Sequence, residues 1–231
     1  MDINNESLGQ TAEKVICDLN GIDSSNLLRR SIPQLEIEIR PYLEDACKKL
    51  PKIVRHSGLE SGNHGGQSKS VVDFYGINNE TISVKTTKNS NCKVCPSECG
   101  QPGGGTFDRY FRHLYNDPNE KITYDKFKAL CLEKSHEMMP VYIEHLFDCD
   151  YLLWLYFDKR NKGYKIVEKK SISSFAWLKE RFSFTKDIGT WNESCTVKYD
   201  GLSIGEYQVH NHRNNYKFRF NLNNLCDVMN L

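Results

Sequence analysis

The chain has 231 residues, of which 39% are hydrophobic and 26% are charged, and its 31 basic side chains nearly balance 30 acidic ones. This mixture excludes a low-complexity disordered chain, which would have fewer aromatic residues and a larger charge imbalance. The net charge of +1 also excludes a protein that coats nucleic acid indiscriminately, because phosphate neutralisation supplies the affinity of such proteins. The length is sufficient for one large domain with a sizeable core.

No leader or membrane span is apparent in the sequence. The residues from Met1 to Ser7 are polar and acidic, whereas a secretory leader has a basic start and an apolar stretch. The longest apolar run, residues 151–157, is far shorter than the roughly 20 residues of a membrane-spanning helix. The nine cysteines stand mostly singly at apolar positions, where a reduced thiol acts as a small hydrophobe. We therefore expect a cytoplasmic protein with no membrane partner.

The first third of the chain predicts two helices followed by two strands. Apolar spacing predicts a helix over residues 10–20, with Glu13 on the shoulder of its apolar face, and a second helix over residues 37–50. Residues 71–75 and 81–87 are short β-type runs joined by a five-residue connection. Such runs are typical of a hairpin or a close antiparallel pair.

The remainder of the chain predicts further helices and a strand-rich end. Pro140 predicts a break between two helices, and the apolar continuity of residues 151–157 predicts a buried strand. The elements expected in this part are helices over 107–115, 124–135, 141–147 and 173–182, and strands over 151–157, 163–167, 195–199, 205–210 and 216–222. No internal repeat is visible, so a single mixed α/β domain (α+β) is the economical interpretation.

Alternation along the two early strands separates apolar from polar side chains. Asp73, Ser83 and Lys85 are expected on one face, and Asp73 and Lys85 converge if the strands are neighbours. This pair suits a metal-dependent phosphodiesterase, since Mg²⁺ takes oxygen ligands and an ammonium can orient or deprotonate one of its waters. The common alternative is an ordinary charge pair on the solvent face of half-buried strands. The opposite, apolar face is expected to carry Val72, Phe74, Ile82 and Val84.

A helical Glu, a strand Asp and then Ser-Val-Lys on a second strand follow one another along the chain. This order resembles the PD-(D/E)XK nuclease superfamily, in particular type II restriction endonucleases. Two further stretches are similar to sequence motifs in that group. They are residues 83–88 with Lys93-Val94-Cys95-Pro96 and Gly100-Gln101-Pro102, and residues 205–210 with Arg213 and 217–220. The resemblance spans residues 10–222, although only the short motifs match specifically.

The resemblance implies a restriction-endonuclease-like fold, with a central mixed sheet flanked by helices. It implies a single nuclease domain over 1–231, with a catalytic core at about 10–160 and a strand-rich DNA-recognition part at about 190–231. The implied activity is Mg²⁺-dependent hydrolysis of double-stranded DNA at a short specific site, leaving a 5′-phosphate and a 3′-hydroxyl. A homodimer is expected, because a two-fold symmetric protein matches a two-fold symmetric site.

The same resemblance implies that Asp73, Lys85, Glu13 and Ser83 are the catalytic residues. Asp73, Glu13 and the main-chain carbonyl of Val84 would hold Mg²⁺. A water near Lys85 would then attack the phosphorus atom in line. The two carboxylates and the lysine come from three separate elements, so the implied site depends on the fold bringing them together.

Two departures from the family pattern bear on this ligand set. Ser83 stands where the family most often has a second acidic residue, and Val72 stands where it has the proline that names the motif. Some family members tolerate Ser at the first position and recruit a carboxylate from elsewhere in the chain. Glu13 is therefore expected as the second acidic group, with Glu80 and Glu60 as alternatives.

Polar residues near the C-terminus and basic residues after the expected catalytic lysine are candidates for DNA contacts. Arg reads guanine and Asn or Gln reads adenine in the major groove, whereas basic side chains position the phosphate backbone. A polar hairpin tip and a solvated loop are the ordinary alternatives. The candidates are Lys88, Gln101, Arg109, Gln208, His210, Asn211, His212, Arg213, Asn215 and Lys217.

Three closely spaced cysteines, Cys92, Cys95 and Cys99, support a different hypothesis. Thiolates at such spacing can hold a structural Zn²⁺, but that site needs four ligands and the sequence has no second Cys-x-x-Cys pair. A loop whose cysteines are free or packed is the other interpretation. The alternative function is a noncatalytic zinc-containing nucleic-acid-binding protein, in which the hairpin over 210–217 makes the contacts.

Overall fold

The computed structural model describes residues 4–27, 31–58, 72–117, 119–158, 161–172, 175–210 and 215–231. The chain forms two compact units, one from Met1–Cys92 with Asp148–Ser173 and the other from Lys93–Phe147 with Ser174–Leu231. Each unit contains one five-stranded sheet. No described helix combines the length and the apolar character that a membrane span needs.

The elements are numbered in chain order. The helices are α1 (Asn5–Leu19), α2 (Pro33–Lys49), α3 (Gly104–Phe111), α4 (Tyr124–Leu146) and α5 (Leu222–Met229). The strands are β1 (Ile53–His56), β2 (Phe74–Gly76), β3 (Thr81–Thr87), β4 (Lys93–Val94), β5 (Tyr151–Phe157), β6 (Lys162–Glu168), β7 (Phe182–Phe184), β8 (Ser194–Tyr199), β9 (Leu202–His210) and β10 (Asn215–Asn221).

The first unit packs α1 and α2 against a mixed sheet with the strand order β1-β2-β3-β5-β6. β3 and β5 are parallel, and the other neighbouring strands are antiparallel. α1 begins at Asn4, whose side chain accepts a hydrogen bond from the Ser7 N–H at 2.7 Å. Its apolar stripe and that of α2 are buried with Phe74 and Ile82 of the sheet. Removing this apolar surface from water stabilises the layer at about 25 cal/mol per Å².

The expected mixed α/β fold with a mixed sheet and flanking helices is confirmed. The two N-terminal helices, the antiparallel β2–β3 pair and the buried β5 paired with β6 all form. The expected apolar face is confirmed for three of its four residues, since Phe74 and Ile82 are fully buried in the helix-covered core and Val84 packs against it. Val72 is half-buried and does not belong to that core. The second unit has an antiparallel sheet with the strand order β4-β10-β9-β8-β7. Four of its strands, β7 to β10, come from the strand-rich C-terminal part of the chain, and β4 comes from the segment after β3.

The expectation of two helices separated at Pro140 is wrong, because α4 runs without a break from Tyr124 to Leu146. Proline costs about 3 kcal/mol inside a helix through its missing N–H and its ring. Met138, Met139 and Tyr142 around it are fully buried. Burial of these large side chains on both sides of Pro140 outweighs the local cost and keeps one helix.

The helix expected over residues 173–182 is also wrong. Residues 173 and 174 lie outside the described part of the chain, and the remainder is irregular up to a short 3₁₀ turn over Lys179–Arg181 that leads into β7. Trp177 and Phe182 both pack edge-on against Tyr199 of β8, with ring centroids 4.9 Å apart in each pair. These aromatic residues are therefore organised around a strand neighbour instead of along one helix face.

Candidate functional site

Main-chain and side-chain hydrogen bonds hold Asp73 directly before the first residue of β2. Its N–H donates to the Ile82 carbonyl at 2.9 Å, and its carbonyl accepts from the Ser57 N–H at 2.9 Å. Its carboxylate accepts from the Val84 N–H at 2.6 Å and from the Ser83 hydroxyl at 3.3 Å. The Asp73 side chain is thus directed toward the main chain of β3.

The main chain of β3 adds an oxygen on the same side. The N–H and C=O groups of one strand residue point in the same direction. Since the Val84 N–H points to Asp73, the Val84 carbonyl is directed toward that edge of β3 too. This places the main-chain oxygen expected as a metal ligand on the same side as the carboxylate.

The electrostatic environment of Asp73 is unusual for a carboxylate. Burial of the carboxyl group, together with repulsion from Glu13, raises the pKa of Asp73 to about 6. The charge of Lys85 and the hydrogen bond from the Val84 N–H act in the opposite direction but do not cancel these effects. Glu13 and Lys85 therefore each lie within electrostatic range of Asp73, as the sequence-based hypothesis requires.

The Glu13 carboxylate has a neighbour that sequence reasoning did not single out. The Nε2 atom of His56, the last residue of β1, lies 3.0 Å from the Glu13 Oε2 atom. β1 has an irregularity in its register between Ile53 and Arg55. Simple alternation along residues 53–56 would place Ile53 and His56 on opposite faces, yet both are buried. The irregularity explains why a strand pattern could not reveal His56.

The oxygen atoms of this site suit Mg²⁺, which needs few protein ligands, better than a metal ion that needs three or more side-chain ligands. Among the described residues, no group of three or more His, Cys, Asp or Glu side chains is placed to hold a metal ion. Mg²⁺ is commonly bound by one or two carboxylates and keeps several waters. Asp73, Glu13 and the Val84 carbonyl are chemically suited to that mode, and the mutual repulsion of the two carboxylates is what a divalent cation would relieve.

The two alternative acidic residues are not part of this cluster. Glu80 lies in the turn between β2 and β3, where its carboxylate accepts from the N–H and the side-chain amide of Asn78 at 2.9 and 3.0 Å. Those hydrogen bonds lower the pKa of Glu80. The turn is at the opposite end of the strand pair from Asp73. Glu60 lies outside the described residues.

The three cysteines considered for Zn²⁺ do not form a group of metal ligands. Cys92 ends the first stretch of one unit, whereas Cys95 and Cys99 belong to the other. The Cys95 Sγ atom accepts a hydrogen bond from the Gln101 Nε2 atom at 3.0 Å. Burial raises the pKa of Cys95 and raises that of Cys99 to about 12, which favours protonated thiols over the thiolates that Zn²⁺ needs.

Several of the candidate DNA-contacting residues share the polar face of the second sheet. Gln208 lies opposite Lys217, and Asn215 lies opposite His210, in the antiparallel β9–β10 pair. The Asn215 side-chain amide donates to the Gln101 carbonyl at 2.9 Å. Large residues that alternate with them, including Tyr207, Tyr216 and Phe218, are buried. The strand pair therefore separates an aromatic core face from a polar face.

The other candidates lie elsewhere or are not described. Arg109 is on α3, where its guanidinium donates to the Glu98 carboxylate at 2.8 Å and to the Tyr110 hydroxyl at 2.9 Å. Lys88 directly follows β3 in the first unit. The side chain of His210 is not described, and Asn211, His212 and Arg213 lie outside the described residues.

Glu206 is a second residue to which the sequence assigned no role. It is buried, and its carboxylate accepts hydrogen bonds from Arg219, Lys93 and the Gln208 amide, the last at 2.7 Å. Burial alone would raise the pKa of Glu206, but the hydrogen bonds from Lys93 and Arg219 lower it below its ordinary value. The cross-strand register that pairs Glu206 with Arg219 was needed to find this cluster.

The fold and the site define a mixed α/β protein whose mixed sheet carries a desolvated carboxylate beside a second carboxylate and a lysine. Over 162 residues the chain is 26% identical to the type II restriction enzyme CviAII of Paramecium bursaria Chlorella virus 1. The aligned segment covers 70% of this chain and 45% of that protein, so the match spans about half of the relative's length. No protein-family model and no solved structure matches the chain.

Proposed function

We propose that the protein is a type II restriction endonuclease that hydrolyses phosphodiester bonds of double-stranded DNA with Mg²⁺. The observation that carries this proposal is the desolvated Asp73 carboxylate, with Glu13 and Lys85 in electrostatic range. Perturbed titratable groups of this kind concentrate at functional sites. The distant similarity to a type II restriction enzyme supports the same class of activity.

In this proposal Asp73, Glu13 and the Val84 carbonyl hold the metal ion. When bound, Mg²⁺ acts as a Lewis acid toward the phosphate and lowers the pKa of a water ligand. The Ser83 hydroxyl and the Val84 N–H keep the Asp73 carboxylate in place through their hydrogen bonds. The Lys85 ammonium orients the attacking water and offsets negative charge on the phosphoryl oxygens. The products are a 5′-phosphate and a 3′-hydroxyl.

The proposed catalytic core is the segment at about 10–160, and DNA recognition is assigned to the strand-rich segment at about 190–231 of a single nuclease domain. Gln208, Asn215 and Lys217 share a polar face there, with side chains suited to base edges and phosphates. A homodimer would present two such faces to a short two-fold symmetric site. The proposed cellular location of the protein is the cytoplasm.

Digestion of plasmid DNA by the purified protein tests this function. We expect discrete fragments with Mg²⁺ and uncut plasmid with EDTA. The fragment ends should be ligatable until a phosphatase removes their 5′-phosphates. Intact DNA with Mg²⁺ across a panel of plasmids, or equal cutting with EDTA, would contradict the proposal. Stoichiometric bound zinc together with intact DNA would favour the noncatalytic zinc-containing alternative.

A further inference from the structure

His56 is held on three sides in the first unit. It is 5% exposed, and its ring packs edge-on against Phe74 with the ring centroids 4.8 Å apart. The Gly58 N–H donates to the Nδ1 atom with an N···N distance of 3.2 Å, and the Glu13 Oε2 atom lies 3.0 Å from the Nε2 atom. Both ring nitrogens are thus engaged, and the ring plane is fixed by an aromatic neighbour.

These contacts determine the tautomer of the neutral ring. A main-chain N–H can only donate, so the Nδ1 atom must accept from Gly58 and carry the lone pair. The single proton of the neutral imidazole is then on Nε2, where it points to the Glu13 carboxylate. A carboxylate oxygen can only accept in its ionised form, so the His56–Glu13 contact is a hydrogen bond donated by histidine.

Glu13 needs such an anchor because a glutamate side chain has several rotatable bonds and its neighbour Asp73 repels it. His56 is the residue that supplies it. We propose that His56 is a positioning residue, whose Nε2–H holds the Glu13 carboxylate in the orientation that binds the metal ion beside Asp73. This inference rests on the proposed function, since it assigns Glu13 to the metal.

A matched pair of substitutions separates the hydrogen bond from the packing. His56→Gln places an amide N–H close to the position of Nε2, whereas His56→Met fills a similar volume without a donor. Outer residues that orient metal ligands typically contribute 10-fold to 100-fold to metal affinity. We therefore expect Mn²⁺, used as a probe for Mg²⁺, to bind about 10-fold to 100-fold more weakly to His56→Met, with substantial recovery in His56→Gln.

The test is titration calorimetry with Mn²⁺ on the DNA-free protein. His56→Met is measured both alone and combined with Glu13→Gln. If His56 acts through Glu13, His56→Met should cost little further affinity once Glu13 has been replaced. Unchanged Mn²⁺ affinity in His56→Met, or an additive loss in the double variant, would overturn the proposal. This measurement does not need DNA cleavage. The role of His56 can therefore be tested even if the protein does not cut DNA.

Nitrogen NMR of the unsubstituted protein provides a check that does not depend on variants folding. In its neutral form the His56 ring should show a protonated Nε2 and an unprotonated Nδ1. Glu13→Gln should shift the Nε2 signal while the tautomer persists. The opposite tautomer would overturn the proposal even if Mg²⁺-dependent cleavage were observed.

Discussion

Each sheet holds a carboxylate among charged neighbours, and the pKa values of the two carboxylates are shifted in opposite directions. Glu206 in the second sheet accepts hydrogen bonds from two cationic side chains and one amide, and its pKa is lowered. Among the described residues, an amide N–H and a hydroxyl donate to the Asp73 carboxylate in the first sheet. Burial and repulsion from Glu13 outweigh the attraction of Lys85, so the pKa of Asp73 is raised to about 6. Cationic side chains of the protein therefore stabilise the charged form of Glu206, whereas the surroundings of Asp73 disfavour its charged form.

This difference separates a structural role from a site prepared for a ligand. A desolvated carboxylate beside another carboxylate is unfavourable unless a cation compensates for it. Glu206 has that compensation within the fold, from Lys93 and Arg219. At Asp73 the divalent cation proposed above would supply it. Substitution should therefore have contrasting effects in the two regions.

The largest expected effect is the loss of activity in Asp73→Asn. The substitution keeps the size of the side chain and an acceptor for the Val84 N–H, but it removes the negative charge that binds metal. Cleavage of plasmid DNA should fall by about 100-fold to 1000-fold, comparable to the loss of a key electrostatic group in other enzymes. Glu80→Gln, at the far end of the same strand pair, should keep its activity. Full activity in Asp73→Asn would contradict the assignment.

Glu206→Gln should chiefly affect stability. It leaves Lys93 and Arg219 facing one another without the anion between them, and breaking a partly buried ion pair costs about 2 to 4 kcal/mol. Urea unfolding followed by circular dichroism measures this change. Glu180→Gln, at an exposed position of the same unit, should change the free energy of unfolding by less than about 0.5 kcal/mol. Equal free energies of unfolding for Glu206→Gln and Glu180→Gln would contradict a structural role for Glu206.

The pH dependence of stability should report Asp73 in the absence of metal. Its pKa of about 6 in the folded state exceeds the ordinary value of 3.8, so the folded protein binds this proton more tightly than the unfolded chain. Its contribution is present below about pH 4 and is lost as the pH rises to about 6, by about 1 to 3 kcal/mol. In EDTA, Asp73→Asn should flatten this decline. An unchanged pH profile in the variant would show that Asp73 titrates normally.

The smallest expected effect concerns DNA affinity. Lys217→Gln removes one positive charge from the polar face of β9 and β10, so binding in Ca²⁺ should weaken about fivefold, and the dependence on salt should become shallower by about one unit. Fluorescence anisotropy at several salt concentrations measures both quantities. Lys179→Gln, at an exposed turn of the same unit, is the matched control. Identical salt slopes for the two variants would argue against DNA binding at this face.

Local patterns predicted the parts of the site that depend on local structure. The helical period of α1 located Glu13, and strand alternation sorted Asp73 and Lys85 from the apolar face of the β2–β3 pair. Both signals are periodic and need no knowledge of distant contacts. The positions of these residues along the chain could therefore be derived from the sequence.

The remaining features depend on contacts that a single sequence does not reveal. His56 is inward-facing because of the register irregularity in β1, and Glu206 gains its partners through cross-strand register. The unbroken helix across Pro140 reflects burial of the side chains around it. In each case tertiary packing outweighs the local preference.

Mg²⁺-dependent stabilisation of the DNA-free protein tests the central claim most directly, because it compares the two carboxylates without requiring a cleavable site. Binding to the folded state alone raises the free energy of unfolding by about 1.4 kcal/mol at a ligand concentration ten times Kd. Calorimetric unfolding with increasing Mg²⁺ should show this rise in the unsubstituted protein and in Glu206→Gln, but not in Asp73→Asn. Equal stabilisation of Asp73→Asn would contradict the claim that Asp73 and Glu13 form the metal site.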